Sequence, residues 1–351
     1  MSRKLITIST IMTLMSTSVI ADVPNVAADI APIHSLVSRV MDGVGAPKLI
    51  VQSGASPHGY RLRPSEAQAL QDADHVFWMG EELTPWLDSA IDTLATKASV
   101  TTLLDQEGII LHDFREGALF EAHDHSAHGD DDHDDHDDHD DHKDHDDHDD
   151  HDDHDDHKDH DDHDDHDDHD DHKDHDDHDD HGSHDPHAWL SPENAKLWLN
   201  IIASKLSVSD PENAATYFMN AAAGQAEIEA MIAEVKATLK PVQGGKFVVF
   251  HDAYQYFEND FDFYASGAIS LGDSSDPSPA RIEEVQKRIR DEGIQCVLAE
   301  PQFKKGLVAT VMEGSDATAS VIDPLGAELE TGPKLYTRLI KNMAKTLRNC
   351  L

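Results

Sequence analysis

From His123 to His184 the chain carries 33 Asp, 21 His and 3 Lys, and its one apolar side chain is Ala127. Such a stretch has nothing to bury against the entropy of being ordered. It therefore divides the sequence into a part before and a part after, and these must supply every hydrophobic core. Its formal charge is −30 of the chain's −44, so the remainder is an ordinary acidic protein near −14. Like charges at this density repel one another and stay solvated, which predicts a disordered insert. They also exclude nucleic acid as a partner. The stretch repeats every three residues, within a longer repeat marked by Lys143, Lys158 and Lys173. A period of three drifts around an α-helix, whereas in polyproline II it would line the histidines along one edge. No repeat unit has an apolar face to stack on the next, so this is not a solenoid. The roughly 290 residues outside it suffice for two ordinary domains.

The first residues read "MSRKLITISTIMTLMSTSVIA". Arg3 and Lys4 precede a modest apolar run, and small residues stand around Ala21. This is the pattern of a cleavable secretory signal over residues 1–21. The run is interrupted by Ser and Thr and falls short of the ~20 apolar residues of a membrane span. With no Cys at the cleavage point, a lipid anchor there is not expected. A bacterial periplasm is the natural destination. The two cysteines, Cys296 and Cys350, are expected to pair in that oxidising compartment. On the chain-entropy account a loop of this length contributes about 4 kcal/mol. The alternative is two buried free thiols; no CxxC pair is present for a zinc–cysteine site.

Before the insert, "NVAADI", "PKLIVQSG", "HVFWMG" and "SVTTLLD" read as strands separated by helical patterns. Alternation of this kind argues for parallel α/β layers. After it, "SPENAKLWLNIIASKL" reads as a helix capped by Ser191 with Pro192 in its first turn. The longest helical pattern follows, with Asp210 as its expected cap and Pro211 opening it. Ile228, Met231, Ile232, Val235 and Leu239 keep one apolar stripe. Some 30 residues would make a rod of about 45 Å. The strands "KFVVFH", "IQCVLAEP" and "SVIDPLG" then resume the alternation. The expected organisation is an N-terminal α/β lobe (22–209, with the insert 123–184), a linking helix (210–240) and a C-terminal α/β lobe (241–351).

Ligands of parallel α/β folds bind at the carboxyl ends of strands. His58 follows "LIVQSG", His251 ends "KFVVF", and Asp323 follows "ASVI"; His187 stands just before a helix cap. Three imidazoles and a carboxylate make a plausible shell for a d-block dication, and the nitrogen-rich set favours Zn²⁺ over Mn²⁺. A single strand-end His is more often a cap or a solvent residue, and His75 and His112 are read that way. Asp323 alone could cap the turn into Pro324, Leu325 and Gly326. His34, at a helix start, and Glu300, after "CVLA", are candidates to support a ligand His by hydrogen bond rather than to bind metal.

Together "GASPHGYRLRPSEAQALQDADHVFWMG", "DPHAWLSP", "FVVFHDAYQYF", "LAEPQF" and "IDPLG" resemble the periplasmic zinc-binding proteins of ABC importers, the ZnuA family. The motifs occur in the family's order along nearly the whole mature chain. The resemblance implies two α/β lobes joined by one long rigid helix, with the metal buried between them. It places His58, His187 and His251 on the family's three histidine ligands. Asp323 falls on a position that is a fourth ligand in some relatives and gives way to water in zinc members. Where some members have Glu before the first His, this chain has Pro57, which excludes a carboxylate there. A His/Asp-rich loop at this place, and a bridge between cysteines like Cys296 and Cys350, also occur in the family.

The expected function is therefore capture of Zn²⁺ in the periplasm and delivery to an inner-membrane ABC permease with its cytoplasmic ATPase. The chain is expected to act as a monomer, with other periplasmic metal-binding proteins as candidate partners. The insert His123–His184 is expected to add weak, exchangeable metal sites. Receptors for manganese or iron are the alternative within the class. A secreted zinc hydrolase is the alternative outside it, since three His and a water also serve catalysis; no HExxH helix supports that reading. A bare metal buffer would have no tight site beyond the insert.

Overall fold

Among the described residues, two four-stranded sheets, each wholly parallel, carry the fold. The computed structural model describes residues 23–115, 120, 184–270, 277–302 and 305–351. The expected signal peptide and nearly all of the insert lie outside them. In the first half the chain runs β1 (Val26–Ala28), α1 (Ala31–Val40), β2 (Lys48–Leu49), α2 (Pro64–Gln71), β3 (His75–Trp78), α3 (Pro85–Leu94) and β4 (Ser99–Thr102). The sheet order is β2-β1-β3-β4, with Ala27 opposite both Lys48 and Val76. β1 and β3 are buried along their whole length. Apolar side chains on both faces are the mark of a parallel sheet covered by helices on either side.

Past the insert come a 3₁₀ turn at Ala188–Leu190, then α4 (Pro192–Ser209) and α5 (Ala214–Leu239). The second sheet follows: β5 (Phe247–His251), α6 (Gln255–Phe261), β6 (Ala268–Ser270), α7 (Pro279–Glu292), β7 (Cys296–Ala299), α8 (Lys305–Val311), β8 (Thr318–Val321) and α9 (Leu335–Cys350). Its order is β6-β5-β7-β8. Each sheet therefore starts at an inner strand, steps outward on one side, and crosses back to the other.

Ser191 caps α4 as expected, accepting from Asn194 N at 3.2 Å. Asp210 does not cap the long helix. Its carboxylate accepts from Tyr217 Oη and Asn213 Nδ2, and the helix starts after Asn213. At 26 residues α5 spans about 39 Å. It joins the two sheets and packs against α1, α4 and α9. The approach to α4 is close enough that a Cβ on Gly224 would meet Leu199 Cδ1 at 2.9 Å. Arg39 of α1 binds Glu227 of α5 through two nitrogens, at 3.0 and 3.2 Å.

The two cysteines form a disulfide, Cys296–Cys350, which ties β7 to the end of α9 across a Cα separation of 5.6 Å. Among the described residues no helix is long and apolar enough to cross a membrane.

Candidate metal centre

His251 is the last residue of β5 and is buried. Its Nδ1 lies 2.6 Å from Glu300 Oε1, and Glu300 directly follows β7, the neighbouring strand. Glu300 is itself buried, and its other oxygen accepts from Gln302 Nε2 at 2.7 Å. Adjacent parallel strands thus end on a histidine and on the carboxylate that orients it. His187 is built locally. In the tripeptide Asp185-Pro186-His187, Asp185 Oδ1 accepts from His187 N at 3.0 Å and meets His187 Nδ1 at 2.6 Å. The proline keeps this segment out of a helix, so the Asp can close on the residue two positions on. Trp189 secures the turn from beyond, donating from Nε1 to Pro324 O at 2.8 Å.

His58 sits on the loop after β2 and is half-buried. The loop is pinned by Trp86 of α3, whose indole N–H donates to Pro57 O at 2.6 Å. The ring of His58 lies 5.5 Å from that of His187, and the ring of His251 lies 5.1 Å from His187. A ligand atom from each of the three falls within 4.8 Å of the others, and among the described residues this is the one such group of three or more.

The distances carry a chemical meaning. With each Nδ1–H given to its carboxylate, His187 and His251 both turn an Nε2 lone pair into the site. Those two nitrogens stand 3.3 Å apart. Two lone pairs at that distance repel unless something positive lies between them. Around a tetrahedral zinc with Zn–N of about 2.0–2.1 Å, ligand nitrogens are about 3.3–3.4 Å apart. Asp185 and Glu300 bring two negative charges, which match a buried dication held by neutral rings.

The other expected residues are placed differently. Asp323, expected as a fourth ligand, caps its own turn. Oδ1 accepts from Leu325 N and Gly326 N, and Oδ2 from Ala327 N at 2.6 Å. Three backbone donors occupy its oxygens, and it falls outside the group of three histidines. His34 does not support a ligand: its Nε2 meets Pro47 O at 3.2 Å and its Nδ1 meets Ser38 Oγ. His75 pairs with Ser209 Oγ and His112 with Asn259. Burial lowers the pKa of His34, His75 and His112 and favours their neutral rings. Glu300 has the hydrogen bond to His251 expected of a supporting carboxylate. Asp185 was not read from the sequence, where it looks like one more Asp at the edge of the insert.

Residues 26–350 match the family model of the zinc-uptake complex component A, periplasmic. The chain belongs to the ZnuA family. It is 48% identical over 326 residues to the high-affinity zinc uptake system protein ZnuA of Brucella abortus (strain 2308), covering 93% of this chain and 91% of that one. It is 43% identical to the protein of the same name from Paracoccus denitrificans (strain Pd 1222), covering 94% of this chain and 93% of the other. A solved structure described as a crystal structure of ZnuA superposes with a TM-score of 0.67 at 18% identity, covering 94% of this chain and 99% of that one. That likeness speaks to the fold, and the two-sheet architecture joined by a long helix is the fold of the ZnuA family.

Proposed function

We propose that the chain is a periplasmic receptor that binds Zn²⁺ through His58, His187 and His251 and delivers it to an ABC-type import permease. The observation that carries this reading is the pair of buried Nε2 atoms 3.3 Å apart, each backed by a carboxylate on Nδ1. The names of the Brucella and Paracoccus relatives, high-affinity zinc uptake proteins, support it. Three imidazoles form a borderline-soft set that suits zinc better than manganese, which prefers oxygen. The fourth position of a tetrahedral ion is left to a non-protein ligand, since Asp323 lies outside the group of three histidines and caps its own turn. Residues 22–209 and 241–351 act as two lobes on either side of the linking segment 210–240. The chain works as a monomer, with an inner-membrane permease and its cytoplasmic ATPase as the receiving partner. Other periplasmic metal-binding proteins are candidate donors or acceptors.

Catalysis fits the site poorly. A zinc hydrolase needs a general base free to reach the metal-bound water. Among the described residues, Asp185 and Glu300 are engaged by ligand histidines instead, and Asp252 by Arg115. Metal analysis of the isolated protein, followed by competition titration against a chelator of known affinity, tests the proposal. One tightly held zinc per chain is the expected result. A chain that holds manganese or iron more tightly than zinc would refute it.

A further inference from the structure

A second charged constellation lies beside the metal centre. Arg115 ends the described segment that leads into the insert. Its guanidinium binds two carboxylates: Nε lies 3.0 Å from both oxygens of Asp252, Nη1 lies 2.7 Å from Glu258 Oε2, and Nη2 contacts Asp252 as well. The Arg115 side chain is 18% exposed, those of Asp252 and Glu258 7% and 1%. Phe120 covers the guanidinium from one side, 3.6 Å from its ring centre. Burial raises the pKa of both carboxyls, and Arg115 opposes that rise. Asp252 is the residue directly after His251.

The segment that carries Arg115 is held at both ends. Ile110 exchanges two hydrogen bonds with the Asn194 side chain at the start of α4, at 2.8 and 2.9 Å. Further on, His112 N donates to Tyr256 Oη of α6, which in turn donates to Asp185 O. His112 O accepts from Asp185 N, and Asp113 pairs with His184 as an isolated antiparallel bridge. Residues 110–115 thus lead from the chain beyond β4 of the first sheet, past the start of α4, to α6 and the β5–α6 turn of the second. They touch the partners of two ligands on the way: Asp185, which holds His187, and Asp252, which is joined to His251.

We propose that Arg115 is a positioning residue for metal retention. Its shared ion pair fixes the His251–Asp252 turn and straps the two sheets together across the centre, so that zinc leaves when this pair opens. The inference rests on the three-histidine site proposed above. A simpler role, in which Arg115 only neutralises two buried carboxylates, predicts lower stability and no change in metal release.

The two roles separate in a release experiment on the full chain loaded with one equivalent of zinc and mixed with excess chelator. Arg115→Gln is expected to speed release by roughly ten- to a hundredfold, the range seen when support around a metal ligand is lost. Arg115→Lys, which keeps the charge but not the planar fork, should fall between. Leaving two buried carboxylates unpaired also weakens the fold. The triple variant Arg115→Met, Asp252→Asn, Glu258→Gln leaves no unpaired charge, so it should be more stable than Arg115→Gln and still release zinc fast. Release at the wild-type rate from the triple variant, or from Arg115→Gln, overturns the proposal. A wild-type chain that retains no tight zinc would overturn the three-histidine reading instead.

Discussion

Replacing Glu300 by Gln tests the metal centre at a point that touches no metal. The side chain keeps its volume, so packing around this buried position is preserved. Its hydrogen bonds cannot be. Oε1 faces His251 Nδ1 at 2.6 Å and Oε2 accepts from Gln302 Nε2 at 2.7 Å, so the carboxylate accepts on both sides. An amide can accept on only one. With its oxygen toward His251, its NH₂ faces Gln302, whose amide must turn over to accept. With its NH₂ toward His251, it selects the tautomer that carries a proton on Nε2, where the lone pair must be. Either way one negative charge beside the dication is lost. Outer hydrogen-bond partners of ligand histidines typically contribute 10–100-fold in metal affinity, about 1.4–2.8 kcal/mol. Glu300→Gln is expected within that range, because the charge is lost in either orientation and one orientation selects the wrong tautomer. The assay is competition titration on a chain lacking residues 123–183, so that weak insert sites do not contribute. Affinity equal to that of the parent chain would show that Glu300 does not orient a ligand.

His251→Glu adds a hard oxygen donor and should shift preference toward Mn²⁺; unchanged Zn²⁺/Mn²⁺ selectivity in paired titrations would count against His251 as a ligand. Removing the Cys296–Cys350 bridge by a double Ser substitution should cost about 4 kcal/mol for a loop of 54 residues, read from denaturant unfolding of the metal-free protein; a loss near zero would mean the bridge adds nothing to what packing already fixes. Burial pushes the Asp29 carboxyl up to about 7 from its ordinary 3.8, against the backbone donors Met79 N and Ile30 N. The native state then keeps a proton that the unfolded chain gives up, so this group's contribution to stability falls as pH rises from about 4 to about 7. Carbon-13 titration of the Asp29 carboxyl should show a midpoint near neutrality, and a midpoint in the ordinary carboxylate range would contradict it.

The sequence told strand from helix, and strand ends from interiors, where local chemistry decides. His251 closes the apolar run "FVVFH", and the observed strand ends on that residue. The order of strands in each sheet was not legible, because hydrophobic pattern says what is buried and not which neighbour buries it. β2 is two residues long although "PKLIV" is strand-like; Ile50 and Val51 still donate to Ala28 and Asp29, but the chain bends away. Asp210 is the sort of residue that caps a helix, yet a tyrosine one turn into α5 takes its carboxylate. Asp323 carried two readings, ligand and turn cap, and its three backbone donors engage it as a cap. Arg115 gave no signal because its partners lie 137 and 143 residues away. Asp185 gave none because the insert's composition masks it, although the Asp-Pro-His turn is a local motif that spacing alone could have raised.

The central claim is that the folded histidines, rather than the 21 of the insert, make the tight site. The most direct measurement is a zinc titration, in competition with a chelator of known affinity, of the chain lacking residues 123–183. That deletion leaves His184 in place to pair with Asp113. The account predicts one tight zinc per chain, lost when His187→Ala is added and accompanied by loss of only the weaker equivalents of the full-length protein. A shortened chain that binds no zinc tightly, while the full-length chain does, would contradict it and make the insert the primary site.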